Sequence, residues 1–259
     1  IGLGISLAAP QILLTADAFL QSVRGSQTFR SEIIPFSYLL TIFAPDVFGN
    51  PVTRNDWFGH YAEWATYIGV IPLAFALYPC SIFGKKFRLA AWSGIILIFA
   101  LATPTPINGL LYKLSIPILS GSAASRIVYL ASFLLVLLSS GSIGFLVQNA
   151  KNTKKPVLLW AGGIGIFLLV VWAVFILGKP VPEQYLTVAR RNLFLPTALA
   201  LCALAGGVLA GFLPKIRWVK TGIFWALVVL TAFDMLRFAG KWMPFEDRQY
   251  LYPSVPSAE

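Results

Sequence analysis

Seven long apolar runs, separated by short polar breaks, set the pattern of this sequence. They are Gly2–Leu20, Thr66–Phe83, Leu89–Thr103, Ile127–Gln148, Val157–Leu177, Leu193–Leu213 and Val219–Ala239. A helix rises about 1.5 Å per residue, so roughly 20 apolar residues cross the hydrocarbon of a bilayer. The pattern predicts an all-α, polytopic transmembrane helix bundle of about seven spans over residues 1–239. Leu89–Thr103 is short, and needs thinned lipid or neighbouring protein to cover its ends. A long aromatic-rich segment, residues 21–65, separates the first two runs. Within it Ser31–Phe43 is too short to span and is predicted to be an amphipathic or re-entrant piece at the interface. Residues 240–259 are polar and contain proline, and read as the start of an extracytoplasmic C-terminal region. Ile1 opens inside an apolar run without a basic stretch, which reads as a cut from a longer protein rather than a signal peptide.

Composition supports lipid as the main solvent. Charged residues are 12% of the chain and apolar residues 58%, against about a quarter charged in ordinary soluble domains. The net charge of +10 does not point to nucleic acid, because the basic residues fall in short clusters between apolar runs. Three loops, 84–88, 149–156 and 214–220, carry only basic charge. They alternate with the other loops, so the positive-inside rule places all three in the cytoplasm of a multi-pass plasma-membrane protein. The acidic residues then gather on or near the outer side, Asp46, Glu63 and Asp234 among them. Cys80 and Cys202 sit in apolar runs and form no metal or disulfide spacing.

Four constellations could carry chemistry. Arg126 stands where an inward-running helix is expected to begin, after the small-residue stretch GSAAS. Arg190 and Arg191 stand in the same relation to a helix expected to start at Leu193. A guanidinium beside the positive end of a helix suits a phosphate at headgroup level, although interfacial arginines also serve simply as anchors. The stretch GHYAEWATYIG offers His60 and Glu63, with Asp46 and Asp56 upstream. A carboxylate or imidazole there suits proton abstraction from an acceptor hydroxyl, or a divalent metal ion; helix capping is the plainer role. Asp17 and Asp234 lie near the C-terminal ends of their helices, and Arg237 follows Asp234 at i+3 on the same face. Gly207-x-x-x-Gly211 is a helix-packing signal. The centres of the later spans hold no ionisable residue, unlike the midplane sites of coupled transporters.

The blocks LLTIFAPDVFGNPV and YAEWATYIGVIPLAFAL are similar to the YfhO family of bacterial membrane proteins. So are TPTPINGLLYKLSIP, the Ala124-Ser125-Arg126 stretch after it, and WALVVLTAFDMLRFAGKWMPF. Their order and spacing match over nearly the whole chain. That family resembles the GT-C glycosyltransferases, multi-span enzymes acting on the outer face. The resemblance implies sugar transfer from a polyprenyl-phosphate donor to a cell-envelope acceptor, with the main catalytic acid upstream of Ile1. Loop position and helix polarity, rather than the resemblance, make Arg126, with Arg190 and Arg191, the candidates for the donor phosphate, and His60 and Glu63 subsidiary catalytic candidates. A transporter or lipid flippase, and a non-catalytic assembly protein, are the alternatives; fold likeness does not settle function. A single cysteine placed at Lys85, Lys151 or Lys215 is expected to react with a membrane-impermeant maleimide only in opened cells. Labelling in intact cells inverts the map.

Overall fold

A computed structural model describes residues 2–21, 33–114, 124–148, 154–212 and 217–242, and among them it is all-helical. The helices are α1 (Gly2–Gln21), α2 (Val70–Ala76), α3 (Lys85–Ala102), α4 (Pro106–Lys113), α5 (Val128–Gln148), α6 (Lys154–Ala173), α7 (Glu183–Phe212) and α8 (Arg217–Trp242). Single 3-10 turns at Phe36–Ile42 and Ala124–Ile127 lead into the core and into α5, and a π-turn, Val174–Gly178, extends α6. Four helices among the described residues are long and apolar enough to cross a membrane: Ser125–Gln148, Lys154–Gly178, Glu183–Phe212 and Trp218–Trp242. The runs at Gly2–Leu20 and Leu89–Thr103 are helical too, as α1 and α3. On α1, Leu7, Leu13 and Leu14 face outward and stay exposed.

The run Thr66–Phe83 departs from the expected helix. Only Val70–Ala76, seven residues, is α-helical. Gly69 before it takes a positive φ of 90°, which an L side chain rarely adopts. Pro79 behind it biases Tyr78 away from helical angles and stops the helix. The segment still traverses the bundle, antiparallel to α8. Tyr67 meets Asp234, Gly69 lies against Thr231 and Met235, and Phe75 meets Phe224 edge-on. Irregular backbone at this depth is tolerated only where protein covers it, and α5, α7 and α8 supply that cover. The backbone groups left over by the break are taken by three side chains and one backbone carbonyl. Trp160 Nε1 donates to the Ala74 carbonyl at 2.7 Å. Arg88 donates to the carbonyls of Tyr78 and Pro79. Ile82 N donates to the Gly141 carbonyl at 3.0 Å, and Val70 N to Asp234 Oδ2 at 3.3 Å.

Contacts between helix ends sort the bundle into two poles. At one pole Val157 of α6 touches Gly211 of α7, and Lys154 lies over the Phe212 ring. Lys220 of α8 donates to the Leu146 carbonyl of α5, and Phe83, just before Lys85, packs on Gly141. The starts of α3, α6 and α8, each opening on basic residues, therefore share this end. The opposite pole holds Asp46, Glu63, Arg126, Arg190 and Arg237. The segment Ser31–Phe43, where described, does not lie flat across that pole. It enters the bundle, with Ile34, Tyr38 and Phe43 buried and Phe43 edge-on to Phe167 of α6 at 5.2 Å. Residues 31 and 32, residues 149–153 and 214–216 of the basic loops, and the C-terminal region from 243 lie outside the described residues.

Helix α7 begins at Glu183, ten residues before the expected Leu193. Pro182 fits a first helical turn, Glu183 suits the positive end, and Lys179 pairs with it at 3.1 Å. The glycine pair packs as its spacing suggests: a Cβ at Gly207 would sit 2.5 Å from the Trp160 ring, and one at Gly211 2.8 Å from Val157. A G207A variant is expected to lose about 1–3 kcal/mol, because the buried Trp160 must shift. Gly163, with nothing within 4 Å of a Cβ, is the control: G163A is expected to leave the melting temperature in detergent unchanged or slightly higher.

Candidate functional site

The pole opposite the basic starts is built from the segment 44–65. Gly49 has φ +85, and a Cβ there would lie 2.1 Å from the Asn55 carbonyl oxygen, so the chain can double back only with glycine. Asn55 Oδ1 accepts from Asn50 N and Thr53 Oγ1, and Trp57 N donates to the Phe48 carbonyl. This tight loop carries Trp57 onto Tyr185 of α7, stacked at 4.3 Å and nearly coplanar at 2°. Between the loop, the 3-10 turn and the α6–α7 connection lies an apolar cleft of about 490 Å³. Phe48, Trp57, Phe58, Phe175 and Tyr185 line it, with the Ser37 side chain as one of the few polar groups.

Arg126 and Glu63, 63 residues apart in sequence, form an ion pair at 2.9 Å. Both are open to solvent, so the pair adds little stability, about 0–1 kcal/mol. Glu63 sits in a turn, seven residues before α2, so no helix dipole accounts for it. Two buried donors flank the pair in sequence: Trp64 Nε1 and Ser125 Oγ have no hydrogen-bond partner among the described residues. Buried polar groups are nearly always bonded, and an orphan costs about 1–3 kcal/mol. His60 is exposed and meets the Trp64 ring edge-on at 4.8 Å. Trp64 in turn meets Tyr38 at 5.1 Å, and Tyr38 meets Phe58 at 5.9 Å, so two ring contacts join this junction to the cleft.

Arg190 is placed elsewhere. Its Nε and Nη2 donate to the Phe175 carbonyl at 2.9 and 2.7 Å, and Nη2 also reaches the Ile176 carbonyl. It therefore caps the end of α6, where carbonyls lack helical partners. Because α7 starts at Glu183, Arg190 and Arg191 lie in its interior, away from the positive helix end. Arg191 is exposed. Neither stands beside Arg126 and Glu63 in any described contact.

Asp46 has a more central place than its position in the sequence suggests. Its carboxylate, 2% exposed, accepts from Arg237 Nη2 at 2.6 Å and Lys241 Nζ at 2.5 Å on Oδ2. Tyr61 OH donates to Oδ1 at 2.8 Å, and Asn192 Nδ2 donates to the Asp46 carbonyl at 2.6 Å. Burial, and then the neighbouring carboxylate, push the Tyr61 phenol above its ordinary range, so it stays a donor. The expected pairing of Arg237 with Asp234 is replaced by this long-range one. Asp234 turns instead to Tyr67 OH, at 2.5 Å, and to Val70 N. Asp17 accepts from Gln21 within α1.

Among the described residues no three His, Cys, Asp or Glu side chains converge to hold a metal ion. Asp46 is engaged by two cations and His60 faces Trp64. These described groups do not fit a divalent metal. Comparison with family models, curated proteins and solved structures found no match to this chain. Removing one partner of a buried charge cluster leaves the others uncompensated. D46A is expected to cost about 3 kcal/mol and lower the melting temperature of the purified chain. A D46A protein as stable as the parent would show that the cluster is dispensable.

Proposed function

We propose that this chain is the membrane-embedded part of a GT-C-like glycosyltransferase. It would move a sugar from a polyprenyl-phosphate donor to a cell-envelope acceptor, at the pole opposite the basic helix starts. The observation that supports this reading is the junction of Arg126 and Glu63. An exposed guanidinium stands there with two orphaned buried donors beside it in sequence, within two ring contacts of an apolar cleft. Arginine and neutral N–H or O–H donors suit a phosphate, and an apolar, aromatic cleft suits the first isoprene units of a lipid chain. The basic starts of α3 and α6 would face the cytoplasm, and the junction would face outward.

In this reaction an acceptor oxygen attacks the anomeric carbon as the bond from that carbon to the phosphate oxygen breaks. The electron pair leaves with polyprenyl phosphate. The acceptor proton passes to a base, for which Glu63 and His60 are the candidates among the described residues, with a further acid upstream as the resemblance implies. Arg126 stabilises charge on the leaving phosphate, an effect that grows where water is scarce. Arg190 is better suited to holding the α6 end that forms one wall of the cleft. In the full-length protein R126A is expected to lower sugar transfer and donor affinity at least tenfold, while leaving the melting temperature within about one degree. Unchanged transfer and unchanged donor affinity remove Arg126 from the phosphate site.

A further inference from the structure

The Asp46 cluster has a charge arrangement that its structural duty does not require. One buried carboxylate, 2% exposed, holds two cations that remain partly open, Arg237 at 26% and Lys241 at 20%. A single cation would neutralise Asp46. Both nitrogens bond the same oxygen, at 2.6 and 2.5 Å, so they lie no more than about 5 Å apart. Two like charges this close repel, and a second anion relieves that repulsion. Asp234, on the same helix, bonds to Tyr67 and Val70 and lies within electrostatic reach of Arg237, so it offsets Arg237 in part and leaves Lys241 the less compensated of the two. Asp46 uses one donor of each cation, whereas a guanidinium and an ammonium carry several. Phe238 packs on both Tyr61 and Trp242, and Trp242 is partly exposed. Aromatic side chains of this kind mark the headgroup level of a bilayer.

We propose that Arg237 and Lys241, aligned by Asp46, bind a phosphate group at this pole. The ligand is a phosphomonoester, carried on a lipid or free in solution. Asp46 is a positioning residue: it fixes the spacing of the two cations and does not touch the ligand. This site is separate from Arg126 and does not rest on sugar transfer.

The test uses the full chain in nanodiscs of zwitterionic lipid, with farnesyl phosphate as probe and farnesol as its uncharged counterpart. The parent is expected to bind farnesyl phosphate at least tenfold more tightly than farnesol. K241Q keeps Arg237 on Asp46 and so keeps the fold; it is expected to weaken farnesyl phosphate about tenfold, leave farnesol unchanged, and be rescued by K241R. Competition by millimolar inorganic phosphate supports a free-phosphate occupant. Retained binding without competition supports a lipid headgroup. Equal affinity for farnesyl phosphate and farnesol overturns the proposal, as does K241Q binding like the parent at an unchanged melting temperature. R126Q in the same assay separates the two sites. Loss with R126Q alone supports the Arg126 site and overturns this one, and loss with K241Q alone does the reverse.

Discussion

A peptide group in oil must find a partner inside the protein, and the segment from Thr66 to Phe83 is organised around that requirement. Its sequence breaks the helix on both sides of Val70–Ala76, through Gly69 and Pro79. A continuous span satisfies its own backbone; this one borrows. Trp160, Arg88, Asp234 and the Gly141 carbonyl each take a group that the missing helix would have paired. The glycines of α7 follow from the same demand. Gly207 gives the Trp160 ring room to lie against α7 while its indole nitrogen reaches the Ala74 carbonyl. Much of the packing between α2, α6 and α7 thus serves a seven-residue helix.

The hydrophobic pattern made the long helices legible. Four of the expected runs are helices of spanning length, because twenty or so apolar residues in sequence have few other stable forms in lipid. The broken run was not legible. Its hydropathy is that of a span, and what decides its shape is a pair of local breakers together with partners that, apart from Arg88, lie more than 50 residues away. The start of α7 was misplaced for a related reason. Residues 183–192 mix polar and charged residues with apolar ones, so hydropathy opened the run only at Leu193, while Pro182 and Glu183 carried the helix-start signal.

At the candidate site, the pattern brought forward individual residues but not the long-range partners they meet. Glu63 and Arg126 were both singled out, for separate reasons, and the fold joins them. Arg237 was read with Asp234 because they share a helix face, yet its ion pair is with Asp46, 191 residues away. Spacing along one helix cannot rank a neighbour at i+3 against a carboxylate delivered by another segment. A buried aspartate after Pro45, between two apolar stretches, was the available hint, since such a residue needs a cation from somewhere.

The broken segment also bears on how the chain is made. Residues 66–83 leave the ribosome before α5, α7 and α8, which are to surround them. A lone stretch with only seven helical residues is a poor passenger for one-by-one insertion into lipid. Its leftover backbone groups find their partners only once those helices pack around it, so the middle of the bundle, although synthesised early, is completed late.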